Sequence, residues 1–249
     1  LVGSEMCIRD RSLSPQQFRG IKPKLVVREG DKVKTGSPLF FDKLKPEVKW
    51  ASPSGGVVTG IQYGARRIIE KIEITVEDKK PESYKSFSSS ELNAADREAV
   101  MNNILDACIF PFIRQRPFNK VANPTDVPRD IFVSAYNTAP LSVNVFKFFK
   151  NNKDQFQAGL TALSKLTNGS VYLTSQKPME FDNVTNVTIE GPHPAGNVGI
   201  QIHHIKPINP GEVIWTVNAQ HVITIGKLFQ NGHYDPRCIV SIAVSYTHL

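Results

Sequence analysis

Cysteine is scarce in this chain of 249 residues, and the few cysteines lie far apart. They are Cys7, Cys108 and Cys238, and no Cys-x-x-Cys motif is present. Iron–sulfur clusters and zinc ribbons need several closely spaced thiolates, so neither is expected here. An odd, sparse set of cysteines also argues against a secreted scaffold built from disulfides.

Long hydrophobic runs are missing as well. A membrane-spanning helix needs a run of about 18 apolar residues or more. The most apolar stretch, residues 213–229, is interrupted by Asn218, Gln220, His221 and Lys227. Any link to a membrane is therefore expected to be peripheral, through a partner or a surface.

Motifs of common catalytic and metal sites are absent too. The sequence has no Gly-x-Ser-x-Gly nucleophile elbow and no P-loop. His193, His203, His204 and His221 lack the spacing of a zinc site, and adjacent histidines on a strand would point to opposite faces. We expect no metal site, and no catalytic residue carried by this chain alone.

Positive charge is plentiful but unevenly placed. The net charge is +7, and residues 13–80 hold 14 Lys and Arg against 8 Asp and Glu. Such a basic segment can bind nucleic acid, an anionic membrane surface or an acidic partner protein. Nucleic acid would require stacking aromatics interleaved with the basic residues on one face, whereas the lysines here are dispersed along strands and turns. We therefore expect no nucleic-acid partner.

The two ends do not resemble native protein. Residues 1–12 read as neither a signal peptide nor the start of a helix. Together with residues 244–249 they resemble translated sequencing adapter. Both segments are predicted to be non-native tails and are left out of the fold prediction.

Residues 13–79 have the pattern of a small β-domain. Short apolar runs are separated by turn signals at residues 30–36 and 52–56, because glycine accepts positive φ and proline fixes its own. In the last run, Ile72 and Ile74 alternate with polar residues, as in a half-buried strand. This arrangement resembles the biotinyl/lipoyl-like fold, a barrel-sandwich hybrid of two interlocked halves.

A lysine, Lys43, lies in the hairpin between these two turns. Carrier proteins of the biotinyl/lipoyl-like fold modify a lysine in that hairpin, so a lipoyl group on Lys43 is one interpretation. The hairpin of residues 43–53 is longer than in such carriers and contains Pro46, which would change the tight turn. The other interpretation is a surface lysine in an unmodified barrel.

After a polar linker at residues 80–90, residues 91–243 read as an α/β domain. Ser90 or Asn93 is placed to cap its first helix. Helical spacing then alternates with strand-like runs, which predicts a mostly parallel sheet. The helices are predicted at residues 97–108 and 146–166, and the strands at 131–135, 171–174 and 184–189.

Two segments of this domain are candidates for ligand contact. The glycine-rich loop at residues 191–199 follows a strand, as phosphate-binding loops do, but its two prolines remove donor N–H groups, so a rigid turn is the alternative. The basic segment at residues 114–118 can grip an anion or pair with carboxylates. The residues singled out for ligand contact are Arg114, Arg116, Phe118, Gly191, His193 and Gly196.

Several sequence segments, which occur in the same order as in the family, resemble segments of the A subunits of sodium-translocating NADH:quinone reductases. They lie at residues 30–41, 46–60, 113–118, 131–141, 191–199, 213–218 and 225–229. The resemblance implies a peripheral subunit on the cytoplasmic face of the bacterial inner membrane, bound to other subunits and especially to an integral membrane subunit. It implies a part in ubiquinone reduction and in assembly of a complex that couples electron transfer to sodium export. It also implies that the first barrel strand precedes residue 13 and is missing, and that a further region follows.

The second domain of this family resembles the Rossmann-like flavin-binding subunit of complex I. That protein receives the flavin phosphate on a loop of the type Gly-x-Gly-Gly-Ala-Gly-Phe. The corresponding residues 107–118 contain no glycine, and bulky side chains keep a backbone away from a phosphate. The resemblance thus implies no bound cofactor, with ubiquinone as a substrate of the complex. Two alternatives stay open: a lipoyl- or biotinyl-type carrier fused to an α/β enzyme, and a flavin-dependent electron-transfer subunit.

Overall fold

The computed structural model describes residues 10–77, 80–143, 149 and 151–241. Its first domain consists of β1 (Asp10–Leu13), β2 (Pro23–Leu25), β3 (Lys32–Val33), β4 (Pro38–Asp42), β5 (Lys45–Ala51), β6 (Gly56–Tyr63) and β7 (Ile69–Val76). Short 3-10 turns lie at Pro15–Gln17 and Ala65–Arg67. The strands form two antiparallel sheets, with the orders β1-β7-β6-β3 and β2-β4-β5.

An apolar core fills the space between these two sheets. The alternation predicted for the last strand is observed, and Ile72 and Ile74 of β7 are fully buried. Trp50 of β5 stacks on Phe40 of β4 with 4.7 Å between ring centroids, and Phe18 meets Trp50 edge-on at 5.2 Å. Burial of such large side chains is a main source of stability in so small a domain.

The barrel begins earlier in the chain than the sequence indicated. We assigned residues 10–12 to a non-native tail and expected no first strand, but β1 pairs with β7, from Asp10 opposite Thr75 to Leu13 opposite Ile72. Three of the four residues of β1 are exposed, so the strand lacks the apolar alternation that would have predicted it. Residues 1–9 and 244–249 of the two expected tails lie outside the described residues.

The second domain is an α/β layer. Its strands are β8 (Arg114–Arg116), β9 (Lys120–Val121), β10 (Asp130–Ser134), β11 (Val171–Ser175), β12 (Thr185–Thr188) and β13 (Ile214–Asn218). Its helices are α1 (Ser89–Ala94), α2 (Arg97–Asp106), α3 (Lys153–Ser164), α4 (Val198–Ile205) and α5 (Ala219–Asn231), with a 3-10 turn at Phe110–Phe112. Of the helix predicted at residues 146–166, residues 146–148 and 150 lie outside the described part of the chain.

The sheet of this domain is mostly parallel, as predicted. Its order is β12-β11-β10-β13-β8-β9, with parallel pairing from β12 to β13 and antiparallel pairing at β8 and β9. The chain builds outward from β10 to β12 and then returns to place β13 on the other side of β10. In open α/β sheets, ligands bind outside the carboxyl ends of the strands at such a reversal point.

Helices cover both faces of this sheet. Ile131 and Val133 of β10 belong to the main core, whereas Phe132 packs with Ile202 of α4 and Ile214 of β13 in a smaller cluster. This division follows from the alternation of side chains along a strand. Within the described residues, no helix is both long enough and apolar enough to cross a membrane.

The helix predicted at residues 97–108 is α2, and it is capped by Asp96, not by the predicted Ser90 or Asn93. Helix α1, which was not predicted, is capped by Ser88. The Ser88 hydroxyl accepts a hydrogen bond from the amide of Glu91, and the Glu91 carboxylate accepts one from the amide of Ser88 at 2.8 Å. This reciprocal pair is a capping box, which requires Ser or Thr three residues before Glu or Gln. Ser88 and Glu91 have that spacing, so this cap was visible in the sequence.

Replacing Ser88 by alanine is expected to lower the free energy of unfolding by about 1 kcal/mol, because the Glu91 amide loses its acceptor. Urea denaturation followed by circular dichroism measures the change. Ser89→Ala is the matched control, since Ser89 is the first exposed residue of α1 and its side chain has no cap role. Equal losses in the two variants would contradict a stabilising cap at Ser88.

Candidate functional site

A cavity of about 1010 Å³ lies where the strand order of the second domain reverses. The carboxyl ends of β10 and β13 contribute Ser134 and Asn218 to its wall. The barrel contributes Gln17 and Phe18, so the cavity is also a cleft between the two domains. Domain interfaces and strand-order reversals are both common places for ligand sites. We call this cavity the interdomain cleft.

Strand register places polar side chains on the open face of the sheet. Arg114 of β8 lies opposite Thr216 of β13, and Thr216 in turn lies opposite Phe132 of β10. Residues two apart share a face, so Arg114, Arg116 and Thr216 all line the interdomain cleft. The sheet face that carries these three side chains is apolar where α4 packs on it and polar where α4 does not cover it.

The two arginines of the cleft carry charge that no described residue neutralises. Arg114 donates through Nη2 to the carbonyl oxygen of Asn119 at 3.0 Å, while Nε of Arg116 is buried without a hydrogen-bond partner among the described residues. Neither guanidinium forms an ion pair within that part of the chain. Burial lowers the pKa of both groups, and the charge of Arg116 lowers that of Arg114 further. No described Asp or Glu lines the cleft.

The amino end of α4 forms another wall of the cleft. The side chain of Asn197, the N-cap residue, makes no capping hydrogen bond, and the amides of Val198 and Gly199 donate to no atom of the described residues. Gly199 also has open space where a Cβ would stand. Free amides at a helix amino end favour an electron-rich oxygen.

An aromatic pair completes the cleft. The ring of His221 stacks on Phe112 with 4.1 Å between centroids and 10° between planes. Burial, and then the charge of Arg114, lower the pKa of His221 to about 4. The imidazole is therefore neutral at pH 7, and it offers a flat face and a hydrogen-bonding nitrogen in place of charge.

Three of the six residues singled out for ligand contact meet in this cleft: Arg114, Arg116 and Gly196. Phe118 is 80% exposed in the turn after β8 and is not part of the wall. His193 and Gly191 belong to the loop behind the wall, where Nδ1 of His193 lies 3.0 Å from Oγ1 of Thr138.

The loop before α4 is held firmly in place. Thr138 accepts a hydrogen bond from the amide of Gly196 at 2.9 Å, and a Cβ at Gly196 would collide with the amide nitrogen of Thr138. This geometry favours the structural interpretation of residues 191–196, while residues 196–199 face the cleft. His203 and His204 lie on α4, so the strand geometry considered for them does not apply.

Sequence reasoning missed His221 and Phe112 as wall residues. His221 lies in the first turn of α5, three residues after β13 ends, and no strand was predicted at residues 214–218, so its position at the carboxyl end of a parallel strand could not be used as a signal. Phe112 could not be found either, because its position depends on the packing of a 3-10 turn against α5. Within the described residues, no group of three or more His, Cys, Asp or Glu side chains is placed to hold a metal ion.

The hairpin of the barrel that contains Lys43 has a shorter turn than the sequence suggested. Asp42 of β4 pairs with Lys45 of β5, so only Lys43 and Leu44 form the turn, and both are exposed. Pro46 lies within β5 and does not alter the turn. The expectation of a long hairpin was wrong, because the chain between residues 45 and 51 forms a strand and no loop.

Residues 107–118, which the sequence resemblance compares with a flavin loop, include several buried side chains. Ile109, Phe110 and Ile113 are buried, and Phe110 meets Trp215 edge-on with 5.9 Å between ring centroids. A backbone packed in this way presents few amides to a ligand phosphate.

A barrel-sandwich domain joined to a doubly wound α/β domain, with a basic cleft between them, defines the class of this protein. The family model described as the NqrA second alpha/beta domain matches residues 95–234, and the NqrA N-terminal barrel-sandwich hybrid domain matches residues 3–77. These two matches confirm the predicted fold class. The chain belongs to the family of Na(+)-translocating NADH-quinone reductase A subunits.

Curated members of this family are similar over most of the chain. The relative from Marinomonas sp. (strain MWYL1) is 37% identical over 229 residues, which are 91% of this chain and 52% of that protein. The relatives from Saccharophagus degradans and Pasteurella multocida are 37% and 35% identical over 241 residues, each covering 95% of this chain and 54% of the relative. The chain thus spans about half the length of these relatives.

Proposed function

We propose that this chain is part of a cofactor-free peripheral subunit of a sodium-pumping NADH:ubiquinone reductase. In this proposal it lies on the cytoplasmic face of the bacterial inner membrane, bound to an integral membrane subunit, and supports assembly and ubiquinone reduction. Family membership supports the complex, and the filled segment at residues 107–118 supports the absence of flavin. The basic first domain offers a surface for an acidic partner or an anionic membrane.

The observation that carries a quinone role is the composition of the interdomain cleft. A 1,4-quinone is a flat ring with a carbonyl acceptor at each end. The cleft has donors on two walls, at the arginines of β8 and the free amides of α4, and an aromatic wall at Phe112 and His221. Apolar and aromatic walls with a few converging donors are typical of cofactor and substrate sites. We place the head group of ubiquinone there.

Filling the cleft tests this placement. Gly199→Phe puts a large ring into the open space at the start of α4, and we expect it to abolish binding of ubiquinone-1 measured by isothermal titration calorimetry. His204→Phe is the matched control, because it adds the same ring at an exposed position of the same helix outside the cleft. Unchanged affinity in Gly199→Phe, or no binding to the parent chain, would overturn a quinone site in this cleft.

The spectrum and mass of the purified chain test the absence of a cofactor. We expect no flavin absorption and the mass of the unmodified sequence. A yellow protein would support the flavin-dependent alternative. A lipoyl or biotinyl increment on Lys43 would support the carrier alternative, for which the exposed two-residue turn at Lys43 is the favouring observation.

A further inference from the structure

The two arginines of the interdomain cleft differ from Arg129 and Lys227, which are half-buried cations with carboxylate partners, and from Arg97, which donates through Nη2 to two backbone carbonyls. Arg129 forms ion pairs with Asp130 and Glu212, and Lys227 pairs with Asp235 at 2.9 Å. Arg114 and Arg116 are similarly removed from water but have no carboxylate within the described residues. Charge that is withdrawn from water without a partner is costly, and here two like charges also repel each other.

Contacts within the described residues use few of the hydrogen-bond donors of Arg114 and Arg116, so a purely structural role explains little of their placement. Arg114 uses one of its five N–H donors on the carbonyl of Asn119. Arg116 makes no side-chain hydrogen bond to a described residue, and its Nε is shielded from solvent. Most of the donor capacity of the pair therefore remains for a molecule in the cleft.

The rest of the wall adds to the preference for negative charge. The described lining contains no Asp or Glu, and His221 is neutral at pH 7 because burial and Arg114 lower its pKa to about 4. The positive charge of the site therefore comes from the two arginines, with the free amides of α4 as further donors. A neutral quinone would leave this charge uncompensated, whereas an ionised ring oxygen would neutralise part of it.

We propose that the interdomain cleft selects quinonoid rings that carry an ionised oxygen, seated on Arg114 and Arg116. The ligand class is a hydroxyquinone anion or a deprotonated quinol, bound more tightly than a neutral quinone with the same ring. This proposal rests on the proposed function, because it takes the cleft to be the quinone site. Guanidinium groups bind anionic oxygen through charge-assisted hydrogen bonds, which are stronger than those to neutral carbonyls.

Two ligands with the same ring system test the charge preference without any mutation. 2-Hydroxy-1,4-naphthoquinone is a vinylogous carboxylic acid and is ionised at neutral pH, whereas 2-methoxy-1,4-naphthoquinone has the same ring and no charge. With the full chain of 249 residues we expect the hydroxy compound to bind about 10- to 100-fold tighter, in line with hydrogen bonds to charged groups. Isothermal titration calorimetry at pH 7 measures both affinities.

Variants identify the residues responsible. Arg114→Gln and Arg116→Gln are each expected to reduce the preference for the hydroxy compound to less than about threefold, and Arg116→Lys to retain part of it because the charge remains. Lys120→Gln is the matched control. It removes one positive charge from the adjacent strand, and Lys120 pairs with Gln115, so its side chain lies on the opposite face of the sheet from the cleft. Thermal melting of each variant checks that it is folded.

The outcomes separate this proposal from the proposed function. Equal binding of the two naphthoquinones to the parent chain would overturn the charge preference and leave the quinone site standing. Failure of both naphthoquinones and of ubiquinone-1 to bind would overturn the quinone site itself. A preference that survives in both glutamine variants would show that Arg114 and Arg116 do not seat the ionised oxygen.

Discussion

Replacing Gly226 by alanine is expected to lower the free energy of unfolding of the α/β domain by about 3 kcal/mol. Gly226 lies where α5 crosses α3, and a Cβ there would collide with the carbonyl oxygen of Gln155 and stand 2.9 Å from the amide nitrogen of Gly159. Both contacts are to backbone, so no side-chain rotation relieves them. The helices would have to separate, which would loosen the buried layer around Leu160 and Ile225.

The same crossing predicts a similar loss of unfolding free energy for Gly159→Ala in α3. A Cβ at Gly159 would collide with the carbonyl oxygen of Val222. Gly199→Ala is the matched control, because Gly199 is also helical but has nothing within 4 Å of its Cβ position. There we expect a gain of about 0.5–1 kcal/mol from helix propensity. Urea denaturation measures all three variants, and a small effect at Gly226 would contradict close packing of α3 on α5.

This crossing marks a limit of what the sequence could tell. The apolar spacing of residues 156–166 predicted the helix that became α3, because periodicity is a local signal. Gly159 interrupts that pattern, but the local sequence does not reveal why a glycine is needed there. The reason is its contact with Val222, which lies more than 60 residues further along the chain. Contacts between distant helices depend on packing, which local patterns do not encode.

The candidate site also contains residues that the sequence could identify and residues whose positions depend on the fold. Arg114 and Arg116 were recognised because they belong to a compact basic segment, whereas their position on one face of the sheet follows from β8, which was not predicted. That His221 and the amino end of α4 face them depends on the position of β13 between β10 and β8, which the order of elements in the sequence left open. The strand β1 was missed for another reason, because pairing with β7 orders it without an apolar face.

Asp130→Asn is expected to cost about 3 kcal/mol of unfolding free energy at pH 7, the lower end of the range for breaking a buried ion pair, because Lys206 is partly exposed. Asp130 begins β10 and is fully buried. One carboxylate oxygen accepts from Nε of Arg129 at 2.7 Å, and the other accepts from the amide of Ser170 at 3.1 Å. Lys206 adds an ion pair at 2.7 Å. An amide would turn an NH₂ donor toward one of these cations and would carry no charge to pair with Lys206, while Glu212 remains as a counter-ion for Arg129.

Because the Asp130 carboxylate titrates, the stability difference between the parent and Asp130→Asn should also depend on pH. Burial alone would raise the pKa of Asp130, but the hydrogen bonds from Lys206, the Ser170 amide and Arg129 outweigh it and hold the pKa below its ordinary value. A depressed carboxyl pKa stabilises the fold above the unfolded pKa of about 3.9, and this contribution is lost as the pH falls through the folded pKa. The stability gap between the parent and Asp130→Asn should therefore be widest near pH 7 and should narrow below about pH 4.

The control for this measurement is Asp106→Asn, which changes an exposed carboxylate at the end of α2. It is expected to alter stability by less than about 0.5 kcal/mol at either pH. Urea denaturation at pH 7 and pH 3.5 compares the three proteins. A gap between the parent and Asp130→Asn that stays constant with pH would mean that the lost stability comes from packing around Asp130, and that its charge contributes little.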